Sequence, residues 1–312
     1  MAKPIEADVV LSCSEHLPAV DVWLVVDVLR ATTVIVRWFE LGGEELYPVD
    51  SVESARRLAQ ALAQEGCPPL LMGEENAIAP RGFDLGNSPT DLTRELVVSR
   101  PCAVMATTNG TKALLKAAAT GVPVLVACAR NALSVLDCAL SRGSRIGILC
   151  SGRKGRPAWD DTLCAGLLLA DLERRQPGLR LADGARLALL AWQSSSDLHA
   201  SLESADHAVF LNKIGYGADI AFACRQDATD VVPELHELPD EDGMRAVLRR
   251  VPADAIPPGA RPPLPRTARV PAAPQGDRTA PTGADRFAPL LQYARSDADH
   301  VFLGGGRHRK GK

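Results

Sequence analysis

Val22-Trp23-Leu24-Val25-Val26-Asp27-Val28-Leu29-Arg30-Ala31-Thr32-Thr33-Val34 is the stretch that decides the fold class. Five apolar residues in a row suit a strand buried on both faces. They run into an acid, a base and two threonines, and then into a helix-like segment over 34–41. Other apolar runs repeat this succession. Residues 70–72 precede Gly73-Glu74, and 103–106 precede Thr107-Thr108-Asn109-Gly110-Thr111 with a helical pattern over 112–119. Residues 124–127 precede Ala129-Arg130-Asn131 and a helix over 132–140, and 146–149 precede Cys150-Ser151-Gly152-Arg153-Lys154-Gly155 and a helix over 161–174. Continuous apolar strands alternating with helices predict an α/β three-layer sandwich, its sheet mostly parallel or mixed, with helices on both faces. No fixed-period repeat argues for a solenoid.

Composition shifts near Pro239. Residues 1–238 read as one catalytic-size body, and 239–312 as a Pro- and Arg-rich tail with too few large apolar side chains to offset chain entropy, hence disordered. Within that tail only 286–293, Arg-Phe-Ala-Pro-Leu-Leu-Gln-Tyr, form an apolar island. The chain is 46% hydrophobic and only 4% aromatic, so its core must be rich in Leu, Val and Ala. A net charge of -3 argues against nucleic acid or an anionic membrane as partner. The eight cysteines contain no C-x-x-C pair and sit mostly in apolar runs, the pattern of reduced thiols. Neither a signal peptide nor a run of membrane-spanning length is visible, which predicts a cytoplasmic protein. A homodimer is left open.

Ligands of open α/β sheets bind beyond the carboxyl ends of strands. Asp27 there either binds a cation or caps the next helix. Arg30 either forks onto a phosphate or sulfonate or closes the corner in an ion pair with Asp27. Thr32 and Thr33 offer hydroxyls at a helix start. Thr108, Asn109 and Gly110 suggest a nest of N–H groups with positive φ, with Thr111 capping a helix that starts near Lys112; a plain tight turn fits equally. Ser151 and Gly152 open another anion-type loop, ahead of Asp160-Asp161. Two acids in a first turn serve a helix dipole or a hard cation, and Asp161 is the better metal candidate. Glu74 is a further strand-end acid. Asn87 and Ser88 cap a helix or touch substrate. Asp219 is read as a solvated helix face, and His16, His199, His207 and His236 as surface or capping residues. Walker, dinucleotide and serine-hydrolase loops are absent. A haloacid-dehalogenase reading of Asp27 fails because Leu29 stands where a second Asp is needed.

Taken together, Asp27-Val-Leu-Arg-Ala-Thr-Thr33, Gly73-Glu74, Gly82-Phe-Asp-Leu-Gly-Asn-Ser-Pro89, Thr107-Thr-Asn-Gly-Thr111, Asp161 with Cys164-Ala-Gly166, and Asp219, Cys224, Asp227 and Val232-Pro233 resemble the 2-phosphosulfolactate phosphatase family. The order of motifs follows that family across about residues 5–235, with departures at Asp160 and Glu75. The resemblance implies an α/β fold, a Mg²⁺ requirement, and hydrolysis of 2-phospho-3-sulfolactate to 3-sulfolactate and phosphate, a step towards coenzyme M. On that reading Asp27, Arg30 and Asp161 are catalytic, with Asp27, Glu74 and Asp161 on the metal. Thr32, Thr33, Asn87, Ser88, Thr108–Thr111, Ser151 and Gly152 meet the substrate, and Arg130 or Arg153 its sulfonate and carboxylate end. The competing expectation is a non-catalytic binder of a phosphorylated or sulfonated metabolite, with the tail as an interaction element.

Overall fold

The side chains of Val22–Val26 are all inaccessible to solvent, as a run of β-branched and large apolar residues requires when both faces of a strand are covered. A computed structural model describes residues 3–195, 197–240 and 243–257 of the chain. Its first part alternates strand and helix: β1 (Glu6–Val10), β2 (Val22–Val26), α1 (Ala31–Glu40), β3 (Glu45–Val49), α2 (Val52–Gln64) and β4 (Leu70–Gly73). There follow α3 (Arg94–Ser99), β5 (Cys102–Ala106), α4 (Gly110–Ala118), β6 (Val124–Ala127), α5 (Ala132–Arg142), β7 (Arg145–Cys150) and α6 (Trp159–Arg175). After the two-residue strand β8 (Arg180–Leu181) come four helices, α7 (Asp183–Gln193), α8 (Leu198–Glu203), α9 (Asp206–Lys213) and α10 (Gly217–Ala223). A hairpin closes the described chain, β9 (Pro233–Asp240) and β10 (Gly243–Arg250).

All ten strands join one mixed sheet in the order β4-β5-β3-β10-β9-β6-β2-β7-β1-β8. Two parallel blocks, β4-β5-β3 and β6-β2-β7-β1-β8, are bridged by the hairpin through antiparallel pairings alone. Three reversals between β3 and β6 mean that the two blocks run in opposite directions. On a flat sheet their carboxyl edges would lie on opposite sides, and the expectation of five loops on one edge would fail. The sheet is not flat. Helix α4 packs against β3 and also against β2, β6 and β7. Strands β3 and β2 are four places apart, about 19 Å at the usual spacing, farther than one helix reaches across a plane. The sheet therefore coils around α4, in line with the natural twist of its strands, and brings the two carboxyl edges together.

The body extends past the boundary expected at 238. That position falls inside the hairpin, and β10 is an interior strand between β3 and β9. Val247, Leu248, Val251 and Ile256 are buried, so a segment read as tail supplies core. Residues 258–312, including the apolar island at 286–293, lie outside the described residues. All eight cysteines are free, five of them buried.

Candidate active site

Three helix starts meet at Asp27. Ala31 opens α1, and its N–H donates to Asp27 Oδ1 at 3.3 Å. Gly110 opens α4, and a Cβ placed on it would lie 2.6 Å from Asp27 Oδ2 and 2.4 Å from the Ala31 Cβ. Asp160 and Asp161 stand in the first turn of α6. Positive helix ends favour anions, which helps to retain three acids that are all buried. Burial pushes the Asp27 carboxyl up to about 6; nearby Asp160 and Glu74 also raise it, while His207 and the Ala31 N–H oppose them. Burial likewise holds Asp161 well above the usual carboxylate range, with Asp160 and Asp27 adding repulsion.

Each acid has a different set of partners. Asp161 accepts three hydrogen bonds: Oδ1 from the Val28 N–H at 3.0 Å, and Oδ2 from the Ser151 hydroxyl at 2.9 Å and the Gly152 N–H at 3.0 Å. It ties the loop after β2 to the loop after β7. Glu74 ties the other block, with Oε1 accepting the Thr108 N–H at 2.7 Å and Oε2 the Ala77 N–H at 2.6 Å. Asp160 accepts no hydrogen bond among the described residues and faces His207 Nδ1 at 3.6 Å. Asp27 and Asp160 thus keep more lone pairs free than Asp161 does. Among the described residues no group of three or more His, Cys, Asp or Glu is drawn together to cage a metal, the expected trio of Asp27, Glu74 and Asp161 included.

The threonines shape loops. Thr32 Oγ1 accepts the Asp27 N–H at 3.1 Å, and the Thr33 hydroxyl donates to the Val28 carbonyl at 2.8 Å. In the loop after β5, Thr107 Oγ1 accepts the Thr111 N–H at 3.0 Å while Thr111 Oγ1 accepts the Thr107 N–H at 3.1 Å. The helix begins at Gly110, earlier than expected, and Asn109 has φ -125, so the positive-φ nest is not formed. Glycine is needed at 110 for close approach to Asp27 and Ala31, not for its φ.

Arg30 is an anchor. Its side chain is only 2% exposed; Nη1 donates to Asp219 Oδ2 at 2.9 Å, Nη2 to the Ala77 carbonyl at 3.2 Å, and the guanidinium lies 4.5 Å from the Tyr216 ring centroid. Asp219 Oδ1 accepts from Ser88 Oγ at 2.7 Å and Thr90 Oγ1 at 2.9 Å. Neither the solvated helix face expected for Asp219 nor an Asp27–Arg30 pair is what the structure contains. A buried carboxylate needs this many donors, and Asp219 finds them across the turn-rich 82–90 loop. Asn87, beside Ser88, is buried with Oδ1 lacking a partner among the described residues. Arg130 lies elsewhere, bonded to Glu40 at the far end of α1, about 13 Å along that helix from its start. By sequence His207 reads as a surface or capping residue; no spacing motif marks it, because α9 comes to α6 only through tertiary packing.

The sequence matches the family model described as 2-phosphosulpholactate phosphatase over residues 10–238. The chain belongs to the 2-phosphosulfolactate phosphatase family. A protein of Thermus thermophilus is 39% identical over 71% of this chain and 90% of its own length. One from Deinococcus radiodurans is 36% identical over 75% and 94%, and one from Clostridium novyi 34% over 68% and 88%. All three carry the name "Probable 2-phosphosulfolactate phosphatase". The 2-phosphosulfolactate phosphatase family is one of phosphoric monoester hydrolases, which sets this chain among enzymes rather than passive binders. Among the described residues no helix is long and apolar enough to cross a membrane.

Proposed function

We propose that this chain hydrolyses 2-phospho-3-sulfolactate to 3-sulfolactate and phosphate with the help of Mg²⁺. The observation that carries the reading is the pair of buried acids with free lone pairs, Asp27 and Asp160, at the meeting point of three helix starts, in a chain of this family. The donor set fits a hard cation: carboxylate oxygens in a site where burial, with repulsion from Asp160 and Glu74, raises Asp27. Mg²⁺ is held elsewhere by one or two carboxylates, substrate phosphate and waters, so Asp27 and Asp160 suffice and no cage is needed. Bound there, it would supply charge neutralisation to the phosphoryl group.

The chain's own groups do the rest. The N–H groups at the starts of α1 and α4 orient phosphoryl oxygens. Asp161 and Glu74 keep the loops of the two sheet blocks aligned around that point. Water attacks phosphorus in line, and His207, next to Asp160, hands a proton to the departing C2 oxygen. The Asp219–Arg30 pair fixes the start of α1, on which the position of Asp27 depends.

The test is phosphate release from 2-phospho-3-sulfolactate with Mg²⁺ and with chelator. Release that persists unchanged in chelator would remove the metal, and no release under either condition would remove the activity. After one turnover in ¹⁸O-water, label in the Asp27 carboxylate would replace direct attack by an aspartyl-phosphate opened at its acyl carbon, and a phosphoryl group trapped on Asp27 by acid quench would replace it by one opened at phosphorus.

A further inference from the structure

A second concentration of charge lies away from the acids. Three guanidinium groups surround the Phe222 ring of α10: Arg130 at 4.0 Å from the centroid, Arg37 at 5.5 Å and Arg225 at 5.6 Å. One carboxylate answers them. Glu40 Oε1 accepts from Arg130 Nη2 at 2.7 Å and Oε2 from Arg37 Nη1 at 3.1 Å. Arg130 Nη1 also donates to the Phe222 carbonyl at 3.3 Å. Among the described residues three cations therefore face a single anion.

The remaining donors are not satisfied within the described residues. Arg37 Nε and Arg130 Nε are buried with no acceptor, a state that native proteins relieve with water or an ion. Arg225 is exposed, and its guanidinium makes no hydrogen bond or ion pair among the described residues. Arg37 keeps 29% of its side chain in solvent, so the cluster reaches the surface. A water would cap an N–H group but leave the excess charge. An oxyanion answers both, and planar guanidinium forks match its oxygens.

We propose that Arg37, Arg130 and Arg225, gathered on Phe222, form a second oxyanion subsite that takes a sulfonate, sulfate or phosphate group. Phe222 holds the guanidinium planes by stacking, and Glu40 sets the spacing of two of them. Asp219 and Phe222 are three residues apart on α10. They therefore lie on one face of that helix, and the subsite sits a single turn from the Arg30 anchor. Four covalent bonds separate phosphorus from sulfur in 2-phospho-3-sulfolactate, too few to reach from the start of α1 to Arg130 about 13 Å along that helix, so the group bound is a free oxyanion.

Inorganic sulfate is titrated into the full chain at constant ionic strength, with arginine Nε–H signals followed by ¹⁵N–¹H NMR. Arg37→Lys and Arg130→Lys assign the two signals by their loss. Both should shift along saturating curves, and Arg225→Gln, at an exposed position, should weaken sulfate about tenfold. KM for 2-phospho-3-sulfolactate should stay unchanged in Arg225→Gln while sulfate weakens. A KM raised for that substrate but not for 2-phospholactate, which lacks the sulfonate, would overturn a subsite separate from the substrate. Shifts that stay linear, or saturation indifferent to Arg225→Gln, overturn the subsite. Sulfate binding is read without turnover, so a protein that binds sulfate yet releases no phosphate would count against the phosphatase reading alone.

Discussion

Asp27 links the site to pH. Its carboxyl is raised from 3.8 to about 6, so between those values the folded protein holds a proton that the unfolded chain has released. Without metal, stability should fall as pH rises through that window, by about 3 kcal/mol for a shift of this size. Asp27→Asn removes the effect: the variant should unfold at higher denaturant than the parent at pH 7 without metal, and should show no turnover. Denaturation midpoints together with phosphate release check both halves. In the parent, Mg²⁺ binding and turnover should decline as pH drops below about 6, because protonated Asp27 is a poor ligand; a flat acid limb would contradict the assignment. At Gly110 the demand is steric. Gly110→Ala would drive a methyl group into Asp27 and Ala31, which should cost about 1–3 kcal/mol and displace the carboxylate, lowering kcat. The Gly110 position was legible as a glycine with a purpose, but the purpose lay in a contact between distant segments.

At the scale of elements, the loops owe their shape to acids that cross between them. Asp219 on α10 is the partner of Arg30 at the start of α1, and both side chains are at most 2% exposed. Asp219→Ala would leave Arg30 buried without its counter-charge, and the Ser88 and Thr90 hydroxyls with only each other, 2.9 Å apart. The expected loss is about 3–5 kcal/mol in urea unfolding; a loss below 1 kcal/mol would mean that Arg30 swings to solvent. The motifs on these elements were legible as strand-to-helix loops because each begins with a solid apolar run. Their roles were not, because a carboxylate's role depends on which donors reach it. Asp160 and Asp161 are neighbours in one helical turn, yet one is consumed by three donors and the other is left facing His207.

For the molecule as a whole, the hairpin β9–β10 is what makes one sheet from two opposed blocks. A chain ending at 238 would lose β10 and with it the burial of Val247, Leu248, Val251 and Ile256. Four such side chains contribute about 6–12 kcal/mol, comparable with the whole stability of a domain. That truncation should be insoluble or unfolded by circular dichroism, whereas a cooperative native-like melt would show that β10 is dispensable. The sequence by itself determined the α/β class, the strands that form the buried centre, and the family, since apolar runs and short motifs are local and survive without knowledge of the fold. It misread the segment after 238 because β10 carries three arginines and stands next to a proline-rich stretch, and only its partners on both sides make it an interior strand. Tertiary structure alone decided that the carboxyl edges of two opposed blocks meet. The coiling that joins them around α4 is a sum of small twists over many strands, and no single residue records it.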